Sequence, residues 1–375
     1  MIKFLDLQKI NAQYQEQFQE KMNLVLDNGW FILGNEVKQF EAHFADYCGA
    51  KHCIGVANGL DALVLIFKGY IELGKLKKGD EVIVPANTYI ATILAILEVD
   101  LVPVLVEPRL ETFNINPDLI AERITSKTKA ILPVHLYGQL AEMNSINNIA
   151  KQHNLLVIED AAQSHGASAQ FAETQPTTNN QQPTTTQAYS FYPGKNLGAL
   201  GDAGAITTND DDLAKVLFSL RNYGSEREYY NDYLGVNSRL DELQAAFLNV
   251  KLPHLNSDNE KRRAIAKHYL SEVKNIRIVL PNWDLSNNHV FHLFVIRTRN
   301  RDHLQAYLKQ QGIETLIHYP IPPHKQRALN PEVSGWNNLR FPITEKIHNE
   351  VLSIPISPIM TTEEVDFIIQ TLNQY

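Results

Sequence analysis

The chain has 375 residues, of which 44% are hydrophobic and 20% charged, enough for two or three domains and a large core. A net charge of −8 disfavours a nucleic-acid partner, although a local pocket for one phosphate or diphosphate remains open. The longest apolar stretches fall short of a bilayer span, and the charged, interrupted start MIKFLDLQKINAQYQ lacks the apolar core of a secretory signal. A cytoplasmic protein with no membrane contact is expected.

From about residue 50 to 210, short β-branched runs alternate with helical stretches, the pattern of an α/β domain with a largely parallel sheet. The expected strands are His52–Val56, Glu81–Pro85, Val102–Glu107, Ala130–His135, Leu155–Glu159, Tyr189–Tyr192 and Ala203–Thr207. Between them, Leu60–Leu73, Tyr89–Leu97, Met143–Gln152 and Asp211–Leu220 have the apolar spacing of helices packed on a sheet. Strands that lead into helices in this way bring polar residues together at the carboxyl edge of the sheet.

Residues 173–187, ETQPTTNNQQPTTTQ, hold no large apolar side chain and are expected to form a disordered surface excursion. After Leu240 a long helical pattern with Pro253 inside it leads to a C-terminal part holding His289–Thr298, Leu304–Gln311 and Thr362–Leu372. The expected division is a large domain over 1–254 and a smaller α/β domain over 255–375. The two cysteines, Cys48 and Cys53, have no zinc-site spacing and read as structural thiols, so no metal is expected.

The strongest local signal is YSFYPGKNLGALGDAGAI, residues 189–206, where Lys195 follows a strand inside a glycine-dense loop. A phosphate-binding P-loop fails here, because its first glycine falls on Tyr189 and its Ser/Thr on Asn196. A dinucleotide fingerprint fails too, since Gly198, Gly201 and Gly204 are spaced three apart. Upstream, the apolar strand of LLVIEDAAQSHGA ends in Glu159 and Asp160, where a buried sheet meets its ligand crevice. An acid that keeps a pyridine nitrogen protonated and a lysine that forms a Schiff base are the complementary pair that pyridoxal phosphate requires. Taken singly, Asp160 reads equally as a helix cap and Lys195 as a solvated loop residue.

Seven ordered segments carry a resemblance that runs nearly end to end: FLDL (4–7), GWFILGNEVKQFE (29–41), NGLDAL (58–63), PANTYIAT (85–92), EDAAQSHGA (159–167), SFYPGKNLGALGDAG (190–204) and GVNSRLDELQAA (235–246). The chain resembles the DegT/DnrJ/EryC1/StrS sugar aminotransferases, which implies an aspartate-aminotransferase-like fold (fold type I) and pyridoxal 5'-phosphate (PLP, with its amine form PMP) as cofactor.

By that resemblance Lys195 carries the cofactor as a Schiff base, Asp160 pairs with the ring nitrogen, Gln163 bonds the phenolic oxygen and Tyr89 stacks on the ring. Gly59 and Leu60 lend amides to the phosphate at a helix start, and Ser190 adds its hydroxyl. Leu60 departs from the Ser or Thr of many relatives and so loses a side-chain contact. Asn237 reaches the phosphate of a neighbouring subunit, which implies a homodimer with shared active sites. The stretch at 173–187 replaces a compact turn and is expected to leave catalysis untouched. Some relatives carry histidine instead of the lysine and act as dehydratases; Lys195 favours aminotransfer.

INAQYQ, NGLDAL and TLIHYPIPPHKQ (315–326) look most like the branch that aminates C3 of dTDP-3-keto-6-deoxyhexoses with glutamate, giving Fuc3N- or Qui3N-type sugars of the kind found in lipopolysaccharide O-antigens. Tyr192, His318 and Tyr319 are the candidate sugar contacts, although all three also suit plain loop packing. Amination at C4 of a 4-keto sugar, and a PLP-binding regulator without turnover, are the alternatives. The sequence leaves open the configuration at C4 and a UDP handle in place of dTDP.

Overall fold

The computed structural model describes residues 1–168, 185–227, 229–329 and 336–375. Three helices open the chain: α1 (Leu7–Ala12), α2 (Gln15–Asn28) and α3 (Asn35–Cys48). The main sheet follows from β1 (His52–Val56), β2 (Glu81–Pro85), β3 (Val102–Val106), β4 (Thr128–Ile131), β5 (Leu156–Asp160), β6 (Thr186–Ser190) and β7 (Gly204–Thr208). Their order across the sheet is β1-β7-β6-β5-β4-β2-β3. Only β7 runs against its neighbours, pairing antiparallel with β1 and β6, while β6-β5-β4-β2-β3 are parallel.

That single reversal decides where function gathers. Because β7 is antiparallel to the strands on both sides, β1 and β6 point the same way, and their carboxyl ends lie beside the ends of β5, β4 and β2. The register places Val56, Gly204 and Ser190 in one row, with Asp160 opposite Ala188 on the next strand. Gly204 has to be glycine, since a Cβ there would lie 2.4 Å from the carbonyl of Asn58.

Helices α4 (Gly59–Glu72), α5 (Ile90–Glu98) and α7 (Asp211–Leu220) cover one face of the sheet, with Phe67, Ile66, Ile93 and Leu217 fully buried beneath them. On the other face, α3 and α8 (Glu242–Lys251) enclose Phe40, Phe44, Phe191 and Leu248, and α6 (Met143–His153) packs Ile146 onto β4 and β5. The helical pattern around Pro253 is broken, as a residue without an N–H requires, into α8, a short 3-10 turn and α9 (Leu255–Glu272). Leu255 still packs in the large core, whereas Ala266 and Tyr269 of the same helix belong to a second core with Phe294, Leu308 and Ile368.

A short antiparallel hairpin, β8 (Ser225–Arg227) and β9 (Tyr230–Asn231), follows α7 and lies beside it. The second core surrounds the antiparallel pair β10 (Phe294–Arg297) and β11 (Val351–Ile354) with α10 (Arg301–Gln310) and α12 (Thr362–Gln374). The two cores are tied together by α11 (Pro342–Glu350), whose first amides, from Ile343 and Thr344, each donate at 2.9 Å to the Glu107 carboxylate beyond β3. The N-terminus adds a second tie, because Ile2 bridges to Ile313 while α1 meets the large core through the Lys251 ammonium on Asn11 at 3.2 Å.

Seven expected strands exist, with shifts at their ends. The strand expected at Tyr189–Tyr192 runs Thr186–Ser190 instead. Its first two residues therefore belong to the sheet and not to the disordered excursion expected over 173–187; Thr186 is buried and bonds Tyr70 and Thr208 at 3.0 Å each, contacts that a composition argument does not see. Residues 173–184 of that expectation lie outside the described residues. The strand expected at Ala130–His135 stops at Ile131, since Pro133 has no N–H to continue the ladder. Among the described residues, no helix is long and apolar enough to cross a membrane.

Glu242 shows how distant segments fix one another. Its buried carboxylate accepts from the amides of Gly34, Glu36 and Val37 at 2.9, 2.6 and 3.2 Å, closing the start of α3 from 206 residues away. Glu242→Ala orphans these donors and is expected to lower unfolding stability by about 2–4 kcal/mol, read from chemical denaturation, with Glu242→Gln losing about half as much.

Candidate active site

A cavity of about 1230 Å³ opens at the carboxyl edge of the sheet, and every residue expected at the site except Asn237 lines it. They arrive there from several elements. Asp160 ends β5, Ser190 ends β6, Gly59 and Leu60 begin α4, and Tyr89 precedes α5. Gln163 and Lys195 follow on the loops after β5 and β6, while His318 and Tyr319 come from the connection between α10 and α11.

Strand alternation separates the two acids that the sequence presents side by side. Glu159 points away from the cavity, into a buried cluster with His135 Nε2 at 2.7 Å and Gln187 Nε2 at 3.1 Å. Asp160 points into the cavity and stays buried. Its Oδ2 accepts from the Thr92 hydroxyl at 2.9 Å and its Oδ1 from the amide of Ala162 at 3.1 Å. Burial pushes this carboxyl above its ordinary range, and the hydrogen bonds from Thr92 and Ala162 and the charge of Lys195 pull against that rise.

Lys195 makes no side-chain hydrogen bond or ion pair, and its backbone is held by a 2.8 Å bond from its amide to the Tyr192 carbonyl. Loss of hydration lowers its pKa to about 8, while the Asp160 charge opposes the fall. At neutral pH a useful fraction of such an amine is unprotonated, unlike that of an ordinary lysine.

The start of α4 supplies an anion site. Asn58 caps the helix by accepting from the Asp61 amide at 2.8 Å, which leaves the Gly59 and Leu60 N–H groups without intrahelical acceptors. Ser190 closes the same corner, and a Cβ at Gly59 would lie 2.6 Å from its Cβ. Leu60 faces the cavity with an apolar side chain, so only its amide is available to an anion.

Around the rest of the wall, Gln163 is fixed at both ends. Its Oε1 accepts from the Tyr137 amide at 2.6 Å and its Nε2 donates to the Tyr319 hydroxyl at 3.1 Å. Tyr319 lies tilted against Tyr89 at 5.0 Å between centroids, and His318 Nδ1 lies 2.9 Å from Ser353 Oγ. Tyr192 is an exposed side chain at the cavity mouth. Asn237 is exposed and lies outside this chain's cavity, in an isolated bridge to Asn222.

Thr92, Thr88, Tyr137 and His292 were not read from the sequence. Thr88 and Thr92 sit one helical turn apart in PANTYIAT, with hydroxyls 2.8 Å apart, so that spacing was a usable signal for the Asp160 contact. Nothing local marks Tyr137, which adopts a positive φ of 60° and donates its hydroxyl to the His318 carbonyl.

An unpaired, low-pKa lysine, a buried carboxylate and an anion-binding helix start, on a seven-stranded sheet with one reversed strand, define a Schiff-base enzyme of the aspartate-aminotransferase class. The chain belongs to the DegT/DnrJ/EryC1/StrS aminotransferase family, whose pattern matches residues 12–373. It is 56% identical to a dTDP-3-amino-3,6-dideoxy-alpha-D-galactopyranose transaminase of Aneurinibacillus thermoaerophilus, covering 100% of this chain and 99% of that one. Among solved structures it is similar to DesV of S. venezuelae in complex with a ketimine intermediate, with TM-score 0.91, 41% identity and coverage of 100% and 98%. It is also similar to NtdA of Bacillus subtilis with bound cofactor PMP, with TM-score 0.89, 34% identity and coverage of 99% and 84%. The family, fold type I and PLP/PMP cofactor expected from the motifs are borne out.

Covalent attachment of added PLP to the cofactor-free chain, trapped by borohydride, is expected to rise with pH with its midpoint near pH 8, where half of the Lys195 amine is unprotonated. Asp160→Asn removes the charge that holds the ammonium, so the inflection should move to lower pH. Lys195→Ala should give no trapped adduct at any pH.

Proposed function

We propose that the protein transfers an amino group from L-glutamate to C3 of a dTDP-3-keto-6-deoxyhexose, as the transaminase named for its 56% identical relative suggests. The observation that carries the chemistry is the unpaired Lys195 amine in one cavity with buried Asp160.

PLP fits the residues present. Asp160 would hold the ring nitrogen, supported by the two hydrogen bonds that keep its carboxylate oriented. Gln163 would bond the phenolic oxygen, Tyr89 would stack on the ring, and Gly59, Leu60 and Ser190 would hold the phosphate. Bound there, the cofactor supplies an electron sink for the carbanion formed at the donor's Cα.

The chain's own work is proton movement and orientation. Lys195 would hold the cofactor through its amine; when free, its Nζ would take the proton from Cα of glutamate and, in the second half of the cycle, deliver one to C3 of the sugar. Tyr192, His318 and Tyr319 would orient the sugar and its diphosphate, and their position on the cavity wall supports that reading. Asn237, exposed and outside its own cavity, would reach the phosphate of a partner subunit, giving a homodimer with shared sites. We place the domain boundary near residue 254, where α9 passes from one core to the other. We also place the protein in the cytoplasm, which suits two free thiols, Cys53 buried and Cys48 half-buried. Supply of amino sugars to an O-antigen would follow.

Incubation with glutamate and a panel of dTDP- and UDP-linked 3-keto and 4-keto sugars, with the new amine located by NMR, is the test. Amination at C3 of a dTDP-6-deoxyhexose is expected. Amination only at C4, or only of UDP sugars, would replace this substrate, and no amination of any sugar would remove it.

A further inference from the structure

One imidazole in the cavity wall has no role in the account above. His292 lines the cavity, is half-buried, and makes no hydrogen bond through either ring nitrogen. Its neighbours differ. His135 is bonded at both nitrogens, His289 Nδ1 accepts from the Phe291 amide at 3.0 Å, and His318 Nδ1 meets Ser353. His165 is also unbonded, but it is fully buried and lies off the cavity.

The position of His292 is nonetheless fixed by its backbone. Val290 and Leu293 donate to the carbonyls of Gly138 and Tyr137 at 2.9 and 3.3 Å, on the same turn whose Tyr137 amide holds Gln163. Gly138 is glycine at φ 98°, and a Cβ there would lie 3.0 Å from the His292 nitrogen and from the Gln163 carbonyl. On the other side, Asn196, next to Lys195, donates to the Val290 carbonyl at 3.0 Å. The 290–293 segment is thus stitched to both the Gln163 turn and the Lys195 loop.

The ring's Nδ1 is closed off from solvent, so Nε2 is the nitrogen at the open edge. A buried N–H without an acceptor is a rarer and costlier defect than a buried lone pair without a donor. The proton therefore belongs on Nε2, and the cavity meets His292 as a hydrogen-bond donor. Burial, with the charges of Lys195 and Arg262, also keeps the ring uncharged. An uncharged donor beside Lys195 suits an uncharged oxygen that accepts only, and the ketone oxygen on the reacting carbon has that chemistry.

We propose that His292 donates a hydrogen bond from Nε2 to the ketone oxygen of the sugar substrate, making it a further substrate-contacting residue of the second half-reaction. The assignment rests on the keto-sugar reading above. It is tested by following the cofactor absorbance of the loaded enzyme separately in each half-reaction: PLP form with glutamate, and PMP form with the dTDP-3-keto sugar.

His292→Leu is expected to leave the glutamate half within about threefold and to slow the sugar half by about 10²-fold, the scale of one lost donor to a reacting oxygen. His292→Gln, which restores an N–H at similar reach, should recover at least part of that loss. Equal losses in both halves, a loss confined to the glutamate half, no recovery by Gln, or no effect would each overturn the assignment. Retained cofactor absorbance and an unchanged melting temperature show that the variants are folded; should His292→Leu fail to fold, His292→Gln against His292→Glu, which keeps size but loses the donor at neutral pH, carries the same comparison. A wild-type enzyme that aminates no keto sugar would sink the substrate reading as well, whereas wild-type turnover with unaffected variants would sink this inference alone.

Discussion

A carboxylate kept buried without an ion-pair partner is the constraint around which the site is organised. Asp160 at the end of β5 is costly to ionise, and the structure compensates by aiming the Thr92 hydroxyl and the Ala162 amide at it. The same low-dielectric surroundings make the Lys195 amine easier to deprotonate. One environment thus raises an acid and lowers a base, which draws the two groups towards chemistry at neutral pH. Both shifts come first from the loss of hydration on burial.

The surrounding wall depends on backbone positions more than on side-chain contacts. The Tyr137–Gly138 turn, with both residues at positive φ, orients Gln163, carries the 290–293 segment and reaches the His318 carbonyl through the Tyr137 hydroxyl. Gly204 and Gly59 allow β7 and the start of α4 to approach Asn58 and Ser190 more closely than any side chain would permit. Three separate connections, after β4, after β6 and before α11, are in this way held at distances that suit one small ligand. A rigid constellation of this kind lets binding orient the reacting atoms without further ordering of the protein.

One wall of the cavity joins His292, His318 and Tyr319 to Phe4 of the N-terminal segment, whose ring lies 5.7 Å from that of His318. These residues come from opposite ends of the chain. Their arrangement depends on how the second core docks on the first, through Glu107 and α11 on one side and Ile2 on the other.

Much of this was legible beforehand. Short β-branched runs with helical stretches between them pointed to all seven strands of the main sheet, because a sheet covered on both faces buries whole runs. Lys195 and Asp160 were legible as a complementary pair and the resemblance added Gln163; the structure brings all three to one cavity. What escaped were relations between distant segments: Thr186 drawn into the sheet by Tyr70, Glu242 closing α3, and Tyr137 holding three parts of the wall. By itself, then, the sequence determined the α/β architecture and singled out Lys195 and Asp160 as candidates, because hydrophobic runs and the complementarity of an acid and an amine are read over a few residues. Only the tertiary structure decided that Glu159 turns away to His135 and Gln187, and that an unbonded His292 shares the cavity with Lys195. Both follow from strand direction and from backbone bonds between segments far apart in the chain, which no local pattern encodes.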